Sequence, residues 1–329
     1  MQRRGLVGLG AWLATGAMAA MRGGAAQEHF PSRPIRMVIG FAPGGPTDVV
    51  ARRLAEQLGS ELGQPVVVEN RTGGTGSIAA IDVARARPDG YTLLLTTPSA
   101  HAIFPQIVEK PGYDPLNDFA AIGLVALAPV AIAAHPSFPA RTVPELIALI
   151  RDNPGRFSYA SGGAGAITHL GMELFLRQAG GLKLVHIPYR GDGPAVQDCV
   201  AGHVPLFVGI LAPMIEHHRA GRLRILATLT EQRSEVTPDV ATAVEHGVPD
   251  AVANTYNALL APAGTPAPLI GRLNAALRRA TETAEFRAFL RSISAEPVSG
   301  TTPEHTAAYI RSEYARWTPV IRASGLRIE

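Results

Sequence analysis

Two short stretches carry the residue types that could hold a ligand: "FAPGGPTD" at residues 41–48 and "SGGAGAITH" at residues 161–169. Each follows an apolar run and opens a helical pattern. The first amides of a helix have no acceptor within it, and the macrodipole adds partial positive charge there. Such a pocket suits a carboxylate or a phosphate. Gly44, Gly45, Gly163 and Gly165 allow the backbone to turn tightly and a ligand to approach it closely. Pro43 and Pro46 stiffen the first turn, and Pro46 removes a donor that a helix start can spare. Thr47, Asp48 and Thr168 are either internal helix caps or ligand contacts.

Other chemistries fit less well. No G-x-x-x-x-G-K-[ST] occurs, which excludes a P-loop. Gly74-x-Gly76-x-x-Ala79 follows the strand-like "PVVVE", but the next strand-like run ends in Thr96, Thr97 and Pro98 rather than a ribose-binding acid. Ser161, His169 and Asp192 contain the groups of a hydrolytic triad, yet no G-x-S-x-G elbow is present and the order departs from that of the hydrolases. His217 and His218 form a pair on an apparent helix, while His101, His135, His186 and His203 are scattered without metal-ligand spacing. Cys199 is the single cysteine, which rules out an internal disulfide.

The elements that must position the two turns alternate along the whole chain. "IRMVIG", "PVVVE", "YTLLLT", "VAIAAH", "FSYAS", "LKLVHI", "VPLFVG" and "LRILATL" read as strands, with helical patterns at 47–62, 76–86, 143–152, 166–179, 194–201 and 211–220 between them. This is the pattern of α/β units on mostly parallel sheets, whose strand C-termini are the customary place for ligands. A further strand in "NTYNALLAPAGTP" precedes helical patterns at 266–291, broken near Thr283, and at 303–323. That tail is expected to pack back on the N-terminal lobe, so the chain crosses between lobes near 124–130 and again near 248–256. Two crossings make a hinge.

The chain opens with Arg3 and Arg4 before an uncharged apolar run, Gly5 to Met21, ending in small residues. This predicts a signal peptide over 1–26 and export to the periplasm by the general or the twin-arginine route. The 30 basic and 27 acidic residues become equal in number once Arg3, Arg4 and Arg22 are removed with it. No basic block remains to meet nucleic acid.

The stretches "PSRPIRMVIGFAPGGPTDVVARRLAEQL", "LGQPVVVENRTGGTGSIAA", "PDGYTLLL", "NPGRFSYASGGAGAITHLGMELF", "HIPYRGDGPA" and "LLAPAGTP" together resemble the Bug (Bordetella uptake gene) family, the periplasmic solute-binding receptors of tripartite tricarboxylate transporters. The resemblance implies a type II, Venus-flytrap α/β fold with two lobes, each a mostly parallel sheet flanked by helices. It implies a lobe of 27–126 plus 252–329, a second lobe of 127–251 and a ligand cleft between them. It further implies a monomer without cofactor, metal or catalysis that captures a small carboxylate by lobe closure and delivers it to membrane permease subunits. The family's ligand loops fall on Phe41, Pro43, Gly44, Gly45, Thr47 and Asp48; on Gly76 and Ser77; and on Ser99 and His101. From the second lobe come Ser161, Gly163, Gly165, Thr168 and His169, then Tyr189 and Asp192, with Leu211 to Pro213 at the cleft edge. Ala164 and Ala166 replace polar residues frequent in the family. Gly209 stands where aspartate is common, and Asp192 where small neutral residues are usual, so Asp192 either faces the cleft or caps the next helix. A solute sensor for a membrane kinase and a Ser161-dependent hydrolase are the alternative functions.

Overall fold

The computed structural model describes residues 30–327, so the signal peptide expected at 1–26 lies outside the described residues. Strand β1 (Ile35–Ile39) buries Ile35, Met37 and Ile39, and its chain enters helix α1 (Pro46–Leu62) through the first glycine turn. Val50, Leu54 and Leu58 of α1 recur every fourth residue and are all buried, which is the apolar face the sequence predicts. Gly63, at φ 72°, ends the helix by donating to Gly59 O. There follow β2 (Val66–Asn70), a 3-10 turn at Gly74–Gly76, α2 (Ser77–Ala84), β3 (Thr92–Thr96), a π-helical turn at Ser99–Ile103, α3 (Phe104–Ile107) and β4 (Phe119–Ala134). The second half continues with α4 (Val143–Asp152), β5 (Ser158–Ser161), α5 (Ile167–Gln178), β6 (Val185–Pro188), α6 (Asp192–Val200), β7 (Leu206–Ile210), α7 (Ala212–Arg219) and β8 (Arg224–Thr228). The chain closes with β9 (Asn254–Pro262), α8 (Ala267–Glu282), α9 (Ala284–Ser292), β10 (Glu296–Pro297) and α10 (Pro303–Ser324).

The strands lie in the order β2-β1-β3-β9-β4-β7-β5-β6, with β8 and β10 also paired to β4. Parallel pairing is confined to two groups, β2-β1-β3 and β7-β5-β6, while β9 and β4 run antiparallel to their neighbours. The sheet is therefore more mixed than strand–helix alternation predicts, because alternation reports only the βαβ units. The 16-residue β4 is shared: it pairs with β9 from Phe119 to Pro129 and with β7 from Val130 to Ala134. It is the rod on which both lobes are built.

Each lobe has a core of its own, and a further cluster joins Ile103 and Ile107 to Val130, Ile132 and Leu170. One lobe packs Leu54, Leu58, Leu93 and Leu259 with Leu273 and Leu277 of α8 and Phe286 of α9. The other packs Ala131, Ala133 and Phe207 with Val196 of α6 and Met214 of α7. The tail follows the expectation in α8 and α9, and the break falls where Thr283 caps α9 by accepting from Phe286 N. Helix α10 departs from it. Its Ile310 packs with Val38 and Leu260 of the first lobe, whereas Trp317, Val320 and Ile321 share a core with Val130, Ile132 and Leu170. At 22 residues it is long enough to bridge both lobes.

Candidate functional site

The first turn is held by a carboxylate that points inward. Asp48 is 2% exposed; its Oδ2 accepts from Gly44 N at 2.9 Å and from Arg52 Nε at 2.9 Å, and its Oδ1 accepts from Asn70 Nδ2 at 2.8 Å. Burial alone would raise its pKa, but the hydrogen bonds from Arg52, Asn70 and Gly44 outweigh it and hold the carboxyl at about 2. Asn70, at the end of β2, also donates to Phe41 O at 2.9 Å. Asp48 thus clamps the loop from beneath, and its charge is spent within the protein.

Contact passes from this turn through the neighbouring loops to the second lobe. A Cβ on Gly40 would stand 2.3 Å from Gly76 Cα, so two backbones touch there. A Cβ on Gly76 would in turn meet Ala100 Cβ at 2.9 Å and the Phe41 ring at 3.6 Å. Gly76 is thus a packing glycine. Buried Ser77 also faces inward, against Gly74. One residue before Ala100, Ser99 Oγ accepts from Ile167 N at 3.4 Å, across 68 residues of sequence, at the start of α5. The loops after β1, β2 and β3 are in this way contiguous with the second glycine turn.

The second turn is pinned by its own side chains. Ser161 is 0% exposed, and its Oγ accepts from Gly163 N at 3.3 Å and lies 2.7 Å from His186 Nε2. Thr168 Oγ1 accepts from Gly162 N at 3.2 Å, and His169 Nδ1 accepts from Gly165 N at 3.1 Å. Ala166 N donates to Gly163 O. The amides of Gly162, Gly163, Gly165 and Ala166 are consequently spoken for.

What remains is symmetric. Gly45 and Ala166 sit at the N-cap positions of α1 and α5, neither with a side-chain cap. The next position is Pro46, which has no donor, in one helix and Ile167, which donates to Ser99, in the other. Among the described residues, the amides of Thr47 and Asp48, and of Thr168 and His169, find no protein acceptor. Two pairs of free amides at two helix starts, each with a threonine at the second helical position, are what the site offers an anion.

Several residues predicted from sequence do other work. His101 is 1% exposed, packed edge-on to Phe119 with ring centroids 5.0 Å apart; burial lowers its pKa to about 4 in spite of a hydrogen bond to the Pro115 backbone. It is a packing residue and does not join the turns. Tyr189 donates its hydroxyl to Asp198 Oδ2 at 2.6 Å, onto α6. Leu211 is buried and donates to Pro129 O beside the β4 crossing. Asp192 does not cap α6, whose N-cap Gly191 has no side-chain cap: its Oδ2 accepts from Ile210 N at 2.8 Å and its Oδ1 rests against Gly162 of the second turn. The carboxylate therefore lands one residue beyond Gly209, the position where the resemblance expects an aspartate. His186, Asn70, Arg52 and Glu173 are the functional supports that sequence reading passed over. Only the spacing of four in Asp48/Arg52 and in His169/Glu173 was visible as a signal.

Burial lifts the Asp192 pKa to about 6 against the bond from Ile210. A carboxyl raised above its unfolded value holds its proton longer in the native state, so stability falls as pH rises through the window from about 4 to about 6. Asp192→Asn is expected to raise the unfolding free energy by about 1–3 kcal/mol at neutral pH, with no gain below about pH 4. Urea titrations at both pH values check this.

Ser161 and His169 do not meet as nucleophile and base. The hydroxyl contacts His186 instead and exposes no surface to a substrate. Among the described residues no cluster of histidine, cysteine, aspartate or glutamate could hold a metal ion, and no helix is long and apolar enough to cross a membrane. A separate cavity of about 430 Å³ opens beside Leu127 of β4 and Asn254 of β9, lined by Arg233, Arg287, Arg316, Glu296 and Glu313 among others.

Residues 50–326 match the family described as tripartite tricarboxylate transporter family receptor. The chain is 36% identical to Protein BugT of Bordetella pertussis over 326 residues, covering 98% of this chain and 97% of that one. Among solved structures, an R. palustris protein with adipate superposes with a TM-score of 0.79 at 33% identity, over 91% of this chain and 99% of that one. MatC from Rhodopseudomonas palustris with bound malate superposes with a TM-score of 0.77 at 32% identity, over 89% and 100%.

Proposed function

The chain belongs to the tripartite tricarboxylate transporter receptor family, whose members are solute-binding receptors, and we propose that this one binds a small carboxylate in the periplasm and hands it to membrane permease subunits. The observation that carries the reading is the pair of uncapped helix starts at Thr47–Asp48 and Thr168–His169, on two lobes joined through Ser99 and Ile167. One ligand carboxylate sits between them and favours the closed arrangement of the lobes, 27–126 plus 252–329 against 127–251. The solutes carried by the relatives, adipate and malate, are small carboxylates of that kind. The protein performs no catalysis; the burial of Ser161 supports this.

The magnitudes set limits on the mechanism. A helix terminus contributes about 0.3–1 kcal/mol toward an anion, up to ~2 when partly buried. Micromolar binding needs about −8 kcal/mol. Direct and water-bridged hydrogen bonds, with burial of the ligand body, supply the rest, so the cleft beyond the carboxylate selects the solute.

A thermal-shift screen of the mature protein against dicarboxylates, tricarboxylates, aromatic acids and acidic amino acids tests this. At least one acid should stabilise saturably, by about 2.7 kcal/mol at a hundredfold excess over Kd. Its amide analogue should not. Equal stabilisation by acid and amide, or by none of the acids, overturns the proposal.

A further inference from the structure

Against the second turn lies a stack of three rings, those of His169, His186 and Tyr159. His186, on β6, faces His169 with ring centroids 3.8 Å apart and planes 6° from parallel, and faces Tyr159 at 5.0 Å and 26°. Its Nε2 is 2.7 Å from Ser161 Oγ. His169 Nε2 is 4.0 Å from Glu173 Oε1, the same oxygen that accepts from the Tyr159 hydroxyl at 2.8 Å. One imidazole therefore touches both ends of the 161–169 turn, by a hydrogen bond at Ser161 and by its face at His169.

The turn needs such a support. Gly163 and Gly165 have φ of 143° and 74°, and ordering a glycine loses more backbone freedom than ordering any other residue. Three of its own side chains hold the loop: Ser161, Thr168 and His169. His169 can accept from Gly165 N only while Nδ1 carries no proton, which places the ring proton on Nε2, toward Glu173. The stack keeps the ring in the one plane where Nδ1 meets Gly165 and Nε2 points to Glu173. Burial, and for His169 the neighbouring His186 as well, push both imidazoles below their ordinary range, in keeping with neutral rings.

We propose that His186 is a positioning residue of the binding site, one that touches no ligand and sets the geometry of the 161–169 turn through Ser161 and His169. The inference rests on the receptor reading for its consequence, a preformed second half of the cleft, but its test does not need a ligand.

Two variants separate the contacts. His186→Phe keeps a ring against His169 and loses the bond to Ser161; His186→Gln keeps a polar group for Ser161 and loses the ring. Amide hydrogen exchange of the unliganded protein, read by mass spectrometry, is expected to speed up at least tenfold across 161–169 in both variants, with the strands of the first lobe unchanged. Affinity for the best acid from the screen is expected to fall at least tenfold in both, with Gln closer to wild type than Phe if Ser161 dominates and the reverse if the stack does. Unchanged exchange at 161–169 in both variants overturns the proposal whatever the affinities do. Faster exchange confined to this segment, in a protein for which no acid is a ligand, sustains the positioning role and defeats the receptor reading instead. An increase spread evenly over both lobes shows general destabilisation and also overturns it.

Discussion

Gly165→Val is expected to abolish the stabilisation that a carboxylate ligand confers, with Kd raised at least a hundredfold, about 2.7 kcal/mol. Gly165 is buried at φ 74°, and its amide donates to His169 Nδ1. A β-branched residue is a genuine outlier in that region. Holding it there costs about 1–3 kcal/mol, so the loop relaxes toward negative φ and swings its amide off His169. The N-cap of α5, Ala166, is the next residue, and the amides of Thr168 and His169 move with it. Circular dichroism should show the fold retained with a midpoint lower by several degrees, while calorimetric titration shows the loss of binding. Binding within threefold of wild type would mean that this turn does not contact the ligand.

Asp48→Asn is expected to lower the midpoint of thermal unfolding by roughly 4–8 °C near neutral pH, at about 2–4 °C per kcal/mol. The variant leaves the Asn70 amide facing another amide and strips Arg52 of its charged partner. Affinity should fall with it, since Gly44 and Phe41 are tied through Asp48 and Asn70. The loss depends on pH in a definite sense. The native carboxyl is depressed to about 2, so as pH falls the unfolded chain takes up the proton first. The stabilisation, about 2 kcal/mol, is complete above the unfolded value near 4 and disappears as pH falls through about 2. Urea midpoints of wild type and variant should therefore differ at pH ~7 and converge toward pH ~2. A gap that persists at low pH would show that the effect comes from packing and owes nothing to the charge.

The two turns could be read from sequence because glycine and proline act locally: they state what the backbone does within a few residues, whatever surrounds them. The helix faces were legible for the same reason, as with Val50, Leu54 and Leu58. The donors each turn has left to offer were hidden. Whether the Gly165 amide is free depends on where His169 points, and whether Ser161 is a nucleophile depends on His186, 25 residues away on another strand. His186 and Asn70 carry no local signature at all. Each looks like an ordinary residue at a strand end until parallel pairing of β1 with β2 and of β5 with β6 brings it under a turn.

By itself the sequence determined the alternation of strands and helices and the positions of both glycine turns, since these follow from short-range sterics, capping and periodicity, and its quoted stretches carried the resemblance to the family. Only the tertiary structure decided that Asp48 and Asp192 serve as internal clamps, that His101 packs in a core, that α10 bridges the two lobes and that two amides remain at each helix start. Those outcomes rest on burial and hydrogen-bond geometry between residues far apart in the chain, where a side chain's role is set by the partner that folding places within about 3 Å of it.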